Sequence, residues 1–322
     1  MSLQVERLSK RTGNTWVLRD ASFDVDDGEV FGIVGGSGSG RSEMLKCIAG
    51  SEKANGGSVT LNGRSILDLP SRSRDLSFID DGRGRAKLGR SIFRSKNISD
   101  SENRSGLIEN SANDGRAAIV IDDPFSGTDP LCRRRITEML REFADSGKLV
   151  LAGSPNLEDL APICDRVAVI VNGEILQTGH PGKVYEHPAS TAVARATGEI
   201  NLLPVRRLTS TKAESPEFVT IVGNIRLFAQ PTEAKDLGPI NKTIHLAIRP
   251  EQLSISFGAS FPEDNLLKAA VTGIRYCGAT TFVDLAAGEV KLVARVFRVV
   301  GLSVGDECMV AIPPDRLIVL QD

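Results

Sequence analysis

Short runs of consecutive apolar residues in the first half of the chain predict the strands of a parallel sheet. Two such runs cover residues 29–34 and 117–121. Strands that are apolar throughout, rather than at alternate positions, are typical of sheets that helices cover on both faces. Apolar residues at helical spacing follow the second run, and a third apolar run covers residues 148–152. This strand–helix–strand order predicts an α/β fold.

Alternating patterns later in the chain predict antiparallel strands. Residues 167–171 and 174–177 flank the dipeptide Asn172-Gly173. Asn-Gly favours a type I′ turn because both residues accept a positive φ, so these segments are predicted to form a hairpin. After about residue 200, period-two alternation dominates and helical spacing nearly disappears. That change predicts a small all-β domain, which we interpret as a barrel.

The stretch between Pro70 and Arg116 fits neither pattern. It contains a basic segment over residues 83–96, followed by polar residues at 99–103 and few apolar ones. The simplest interpretation is a solvated, irregular insertion over about residues 82–97. The alternative is an electrostatic docking patch for an acidic partner.

The length and the net charge of the chain limit the classes of protein to which it can belong. At about 150 residues per domain, 322 residues predict two domains, placed at 1–200 and 201–322. The 39 basic and 41 acidic side chains leave a formal net charge of −2, so no nucleic-acid partner is predicted. No apolar stretch approaches the ~20 residues of a membrane span, and the N-terminus is too acidic for a targeting peptide. A cytoplasmic protein is therefore expected.

The cysteines suggest neither disulfides nor a zinc site. They are odd in number, scattered, and never in CxxC spacing, so we interpret them as small apolar residues, because free cysteine is among the most buried residue types. They are Cys47, Cys132, Cys164, Cys277 and Cys308.

A glycine-rich loop follows the first apolar run and precedes a helix-like segment at residues 43–49. Its spacing is G-x4-G-x-S with a basic residue before the serine, which is typical of a phosphate-binding loop, except that arginine replaces the usual lysine. Glycines let backbone amides turn towards an anion, and the helix adds its positive N-terminal end. The predicted nucleotide-binding residues are Gly35, Gly36, Ser37, Gly38, Ser39, Gly40, Arg41 and Ser42.

Two carboxylates end the second apolar run and complete the predicted site. Asp122 is expected to hold Mg²⁺ together with the Ser42 hydroxyl, and Asp123 follows directly before Pro124. Arg41 is expected to contact phosphate. Its guanidinium is planar, wider than an ammonium group and always charged, so phosphate binding should survive the change from lysine better than hydrolysis does.

These motifs together resemble the ATP-binding subunits of ABC importers of the maltose, polyol and polyamine type. Residues 126–130 are similar to the D-loop of that family, and residues 164–175 to the strand pair after its switch position. Residues 247–251 and 313–316 are similar to parts of its C-terminal barrel. The resemblance implies a P-loop NTPase domain of the ABC type, followed by an OB-fold-like barrel of the TOBE type that serves dimerisation and regulation.

Several positions depart from the family pattern. Asp123 stands at the catalytic glutamate and is one methylene shorter, and a displacement of about 1 Å can cost ~10²-fold in rate. Ser154 stands at the switch histidine and offers no imidazole. Where the family has its LSGGQ signature, this chain has Ser99, Asp100 and Ser101, followed by an acidic residue.

Further departures concern the adenine contact and the length. The aromatic residue that stacks on adenine falls at Thr12, with Trp16 as a candidate substitute. The spacing from Arg41 to Asp122 is a few dozen residues shorter than the family pattern, which implies a shortened helical subdomain.

Two hypotheses follow from the resemblance. The first is an ATP- and Mg²⁺-binding subunit of an import system for a small solute of the sugar, polyol or polyamine class, with impaired hydrolysis. The second is a pseudo-ATPase that serves as a non-hydrolysing regulatory or dimerisation subunit. Both imply a homodimer or a heterodimer with a related ATPase subunit, permease transmembrane subunits as partners, and a peripheral location on the cytoplasmic face of the membrane.

Overall fold

The computed structural model describes residues 2–80, 100–208, 216–229, 237, 240, 242–257, 265–297 and 301–321. Contacts divide the chain into two compact units. The first unit comprises residues 1–188 and 196–198, and the second comprises residues 189–195 and 199–322.

The first unit alternates strands and helices, as the apolar runs predict. In chain order its elements are β1 (Leu3–Thr12), β2 (Thr15–Val25), β3 (Val30–Val34), α1 (Arg41–Ala49), β4 (Gly56–Leu61), β5 (Arg64–Ser65), a 3₁₀ helix (Ser71–Ser73), β6 (Leu76–Ile79), α2 (Asp100–Ala112), β7 (Ala118–Asp122), α3 (Pro130–Asp145), β8 (Leu149–Ser154), α4 (Leu157–Leu160), β9 (Arg166–Val171), β10 (Glu174–Gly179) and α5 (Pro181–Glu186). Helix α6 (Thr191–Ala196) follows, and all but its last residue belong to the second unit.

A six-stranded sheet forms the centre of this unit, in the order β10-β9-β3-β8-β7-β6. Its neighbouring strands are parallel except for β10, which pairs antiparallel with β9. Every residue of β3, β7 and β8 is buried, which confirms the strands predicted from continuous apolar runs. The β9–β10 hairpin is also confirmed, with φ of 51° at Asn172 and 85° at Gly173.

The stretch between Pro70 and Arg116 contains more regular structure than the sequence predicts. Strand β6 lies at the edge of the central sheet, and α2 packs against α3. The prediction of a patternless insertion was wrong for these elements. Strand β6 is apolar at three of its four positions but too short to stand out, and α2 is mostly polar and packs against α3. The predicted irregular segment 82–97 lies outside the described residues.

A second sheet of the first unit was missed entirely. It has four antiparallel strands in the order β2-β1-β4-β5. The pairing of β1 with β2 shifts register at three points, and each shift interrupts the alternation that reveals a strand.

The second unit is all-β apart from short helical segments, as predicted. Its elements are β11 (Asn201–Arg207), β12 (Glu217–Thr220), β13 (Arg226–Phe228), β14 (Thr243–Ile248), a 3₁₀ helix (Pro250–Gln252), β15 (Ser254–Ser256), β16 (Asn265–Cys277), β17 (Thr280–Ala287), β18 (Val290–Val296), β19 (Glu307–Ile312), a 3₁₀ helix (Pro314–Arg316) and β20 (Ile318–Leu320).

Two five-stranded antiparallel sheets make up this unit, in the orders β13-β12-β11-β14-β20 and β15-β19-β16-β17-β18. Both contribute to one apolar core, with Phe218, Leu246 and Val310 fully buried in it. A buried asparagine links the sheets at one point, because the side-chain amide of Asn201 on β11 donates to the Val293 carbonyl on β18 at 2.9 Å. The Val293 amide returns a bond to Asn201 Oδ1 at 2.7 Å.

The cysteines match their interpretation only in part. All of them are free thiols, and Cys47, Cys164 and Cys308 are buried. Cys132 is half-buried and Cys277 is exposed, so the interpretation as small apolar core residues fits the three buried thiols and not Cys277. Cys277 ends β16 beside the turn into β17, where no core is available to cover it.

The helices of the described ranges include none that is both long and apolar enough to cross a membrane.

Candidate functional site

The glycine-rich loop lies between β3 and α1, at the carboxyl end of the central sheet. Gly38 and Gly40 adopt positive φ values of 78° and 94°. A Cβ atom on Gly40 would come within 2.3 Å of the Val17 carbonyl oxygen, so only glycine fits there. The loop therefore turns directly into α1, as its sequence predicts.

Hydrogen bonds inside the loop leave its outer amides free. The Ser39 amide donates to the Gly36 carbonyl at 3.2 Å, and the Ser39 carbonyl accepts from the Gly173 amide at 2.8 Å. Four other backbone amides of the turn donate to none of the described residues. They belong to Gly36, Ser37, Gly38 and Gly40. The positive end of α1 follows directly after them, an arrangement that suits an anion.

Arg41 is largely buried, and two of its guanidinium nitrogens are bonded within the protein. Its Nε donates to Asp122 Oδ1 at 3.1 Å, and its Nη1 donates to the Gly35 carbonyl at 2.6 Å. A Cβ on Gly153 would lie 3.0 Å from Arg41 Cδ, so the bare glycine backbone provides the room for the arginine stem. The side chain therefore forms an internal ion pair that the sequence did not indicate, and its contact with phosphate stays a prediction.

Asp122 ends β7 and is completely buried. Its Oδ2 has no hydrogen-bond partner among the described residues, while its Oδ1 is held by Arg41. Buried acceptors without a partner are uncommon, so this oxygen marks a position where a ligand or a water fits.

Mg²⁺ fits this arrangement poorly. The ion requires near-octahedral oxygen ligands at about 2.0–2.1 Å and a negative partner. Arg41 already neutralises the Asp122 carboxylate, and its charge would repel a divalent cation at the second oxygen. The metal-binding roles of Ser42 and Asp122 stay predictions.

Asp123 follows Asp122 in a left-handed backbone conformation, with a φ of 53°. Its amide donates to the Gly153 carbonyl at 2.7 Å, which fixes this turn to the end of β8. Burial raises the pKa of the Asp123 carboxyl; Arg41 opposes the shift, and the negative charges of Asp122 and Asp159 add to it. A raised pKa in a cleft is typical of a functional carboxylate.

Ser154 ends β8 and is fully buried. Its hydroxyl donates to Asp159 Oδ2 at 2.9 Å and accepts from the Asn156 amide at 3.2 Å. Asp159 also pairs with Arg133 at 2.8 Å. The Ser154 hydroxyl is thus engaged at the start of α4, so this residue supplies no proton donor to a phosphate at the loop.

Arg104 is a site residue that the sequence analysis missed. It lies on α2, is buried, and donates to the backbone carbonyls of Asp80, Asp122 and Asp123 at 2.5–2.7 Å. It therefore ties the ends of β6 and β7 together behind the two carboxylates. No local signal in a polar segment distinguishes such an arginine from a solvated one.

The other predicted positions are only partly within the described structure. Asp100 and Ser101 begin α2, and Ser99 lies outside the described residues. Trp16 is about two-fifths exposed, and the Arg11 guanidinium lies 4.7 Å from the centre of its ring. One face of the Trp16 ring is therefore already covered.

Sequence comparison identifies both parts of the chain. Residues 18–128 match the ABC transporter family, and residues 246–320 match the TOBE domain family. The chain thus combines an ABC transporter domain with a TOBE domain. The resemblance to importer ATP-binding subunits inferred from the motifs is confirmed.

Curated relatives match over most of the chain. The sulfate/thiosulfate import ATP-binding protein CysA of Bacillus cereus is 25% identical, covering 99% of this chain and 100% of that protein. The spermidine/putrescine import ATP-binding protein PotA of Legionella pneumophila is 23% identical, covering 89% and 88%. The sulfoquinovosyl glycerol transport ATP-binding protein SmoE of Agrobacterium fabrum is 23% identical, covering 98% and 96%.

Solved structures confirm the fold. A nucleotide-free ATP-binding cassette from an ABC transporter matches with a TM-score of 0.52 at 19% identity, covering 62% of this chain and all of that one. The ADP conformation of another such cassette matches with a TM-score of 0.50 at 20% identity over the same shares. The predicted fold class, an ABC-type P-loop domain followed by an all-β domain, is confirmed.

Proposed function

We propose that this chain is an ATP-binding subunit of an ABC import system, in which the loop at residues 35–42 binds the phosphates and hydrolysis is slow or absent. The relatives' names specify an inorganic anion, a polyamine and a sugar glycerol. We therefore propose the importer class and leave the solute unassigned.

The proposal that the chain binds nucleotide is based on the free backbone amides of the loop. Gly36, Ser37 and Gly38 direct no amide at the described residues, and α1 begins directly behind them. Backbone donors at a helix N-terminus suit a polyphosphate without needing any particular side chain. Arg41 adds a charge whose contact with phosphate is charge-assisted.

The proposal that hydrolysis is slow or absent is based on two side chains. Asp123 would have to orient the attacking water, but its carboxylate is one methylene shorter than that of a glutamate. Ser154 is buried and bonded to Asp159, so it stabilises no charge on a phosphate. General base catalysis contributes ~10²–10⁴-fold, and a misplaced base loses most of that factor.

The proposal implies partners and a location. Importer ATP-binding subunits act with permease transmembrane subunits, so we propose the same for this chain, in a homodimer or with a related ATPase subunit. Its place is then the cytoplasmic face of the membrane. If hydrolysis is absent, the chain serves as the regulatory or dimerisation subunit of such an assembly, a function that the engaged hydroxyl of Ser154 favours.

Calorimetric titration with ATP tests the binding. Wild-type protein should bind in the micromolar to millimolar range. Ser37→Glu should weaken binding at least tenfold, because a carboxylate on the exposed loop repels phosphate. Ser65→Glu is the matched control, since Ser65 is an exposed serine on β5 of the same unit, and it should change affinity less than twofold. No binding by the wild type at millimolar ATP would overturn the proposal.

Phosphate release tests the hydrolysis. Turnover by the wild type should stay close to background, and Asp123→Glu should raise it only modestly because Ser154 is unchanged. Vigorous turnover by the wild type that Asp123→Asn abolishes would show that the shorter carboxylate is an effective base.

A further inference from the structure

We propose that the Arg41 guanidinium takes the place of a metal ion at Asp122, so that this site binds its nucleotide without a divalent cation. This inference rests on the proposed nucleotide binding and concerns how that same site neutralises charge. It is a property of this chain's own arginine, which stands where the family pattern has lysine.

The Arg41–Asp122 ion pair is buried. The Arg41 side chain is 10% exposed and the Asp122 side chain is fully buried, and their atoms lie 3.1 Å apart. Breaking a buried ion pair by removing one partner is strongly unfavourable. A metal ion that arrives with the nucleotide would have to compete with a cationic partner that is already in place.

The shape of the Arg41 guanidinium suits the groups around it. Arg41 contacts two strands at once, because Nε reaches Asp122 at the end of β7 and Nη1 reaches Gly35 just after β3. A planar fork with separate donors can do this, whereas an ammonium group is a single point. Gly153, whose missing side chain makes room for the arginine stem, completes the cradle.

One nitrogen of the Arg41 guanidinium has no partner among the described residues. Arg41 Nη2 donates to none of the described residues, while Nε and Nη1 are both engaged. One residue thus cancels the charge of Asp122 and keeps N–H groups for a phosphate oxygen. Those are the two tasks that a bridging cation performs between a carboxylate and a phosphate.

Charge balance supports the same conclusion. Without a counter-ion, the ionised Asp122 would repel the phosphates, and a metal would be needed to offset that repulsion. With Arg41 on Oδ1, the carboxylate faces the loop already neutralised. Removing Mg²⁺ should therefore change the affinity little.

The test compares ATP binding by calorimetry in excess MgCl₂ and in excess EDTA. For the full-length wild type we expect the two dissociation constants to agree within about threefold. This corresponds to a difference in binding free energy of less than about 0.7 kcal/mol. Arg41→Lys should bind at least tenfold more weakly in EDTA than in Mg²⁺, since a single ammonium group cannot hold both Asp122 Oδ1 and the Gly35 carbonyl as the guanidinium does. Arg135→Lys, on an exposed ion pair of the same unit, should behave as the wild type does.

The outcomes separate the two proposals. Wild-type binding that falls tenfold or more in EDTA overturns this inference and leaves the proposed nucleotide binding intact. No binding under either condition overturns both. The wild-type measurement is decisive by itself, so a folding failure of Arg41→Lys leaves the test intact.

Discussion

Arg104 should contribute more to the stability of the first unit than any exposed ion pair, although it lies in a segment whose sequence looks irregular. Its guanidinium is buried and donates to three backbone carbonyls, at Asp80, Asp122 and Asp123. The Asp122 carbonyl is the most deeply buried of these contacts. Replacing Arg104 with alanine removes all three donors at once.

The size of the effect follows from those contacts. A buried acceptor left without its partner costs roughly 1–3 kcal/mol, and water can reach the partly buried ones. We therefore expect Arg104→Ala to reduce the free energy of unfolding by about 3–5 kcal/mol. That is a large share of the ~5–15 kcal/mol that stabilises an ordinary domain.

Urea unfolding followed by tryptophan fluorescence measures this directly. Trp16, the single tryptophan of the chain, lies on β2 and so reports on the first unit. Arg135→Ala is the matched control because Arg135 also links to α2, through a 2.9 Å ion pair with Glu109 in which both side chains are more than half exposed. Exposed pairs contribute about 0–1 kcal/mol. If both variants lose the same amount, the three carbonyl contacts are not what stabilises this region.

Two further predictions concern burial elsewhere in the chain. Burial raises the pKa of Glu29, so the folded chain binds this proton more tightly than the unfolded chain does. Wild-type stability should therefore fall as pH rises through the folded pKa, and Glu29→Gln should lack that pH-dependent contribution. If the urea midpoints of the wild type and of Glu29→Gln change with pH in the same way from acidic to neutral pH, the reasoning is wrong. In the second unit, buried Arg249 donates to the carbonyls of Ala194 and Glu199 at 3.1 and 3.3 Å. The fragment 189–322 should therefore be more stable than 201–322 by about 2–4 kcal/mol, and equal thermal midpoints would contradict this.

The parts of the fold that the sequence reveals are those whose signal is local. Strands β3, β7 and β8 are predictable because a strand covered on both faces must be apolar at every position. The loop is predictable because its glycines, basic residue and serine occur in a fixed order. Helix α2 is not predictable in this way, since Arg104 and the packing against α3 stabilise it rather than an apolar stripe.

The site shows the same division between local and tertiary information. Residue types at positions 122, 123 and 154 indicate which chemistry is present or missing. Which partner each side chain selects depends on neighbours beyond the local sequence pattern: Arg41 pairs with Asp122, 81 positions on, and Ser154 with Asp159. The sequence therefore predicts the donors and acceptors, and the fold determines their pairing.

That pairing changes how the departures at this site are to be interpreted. In the sequence, Arg41 and Ser154 are two separate departures from the family pattern. In the structure, Arg41 depends on Gly153, because a Cβ atom there would press on the arginine stem at 3.0 Å and on Leu45 Cδ1 at 2.7 Å. Residues in direct contact do not contribute additively. Arg41→Lys alone would keep the stem carbons beside Gly153 but could not hold both Asp122 and the Gly35 carbonyl, so restoring one residue of this cluster should not restore the activity of the loop.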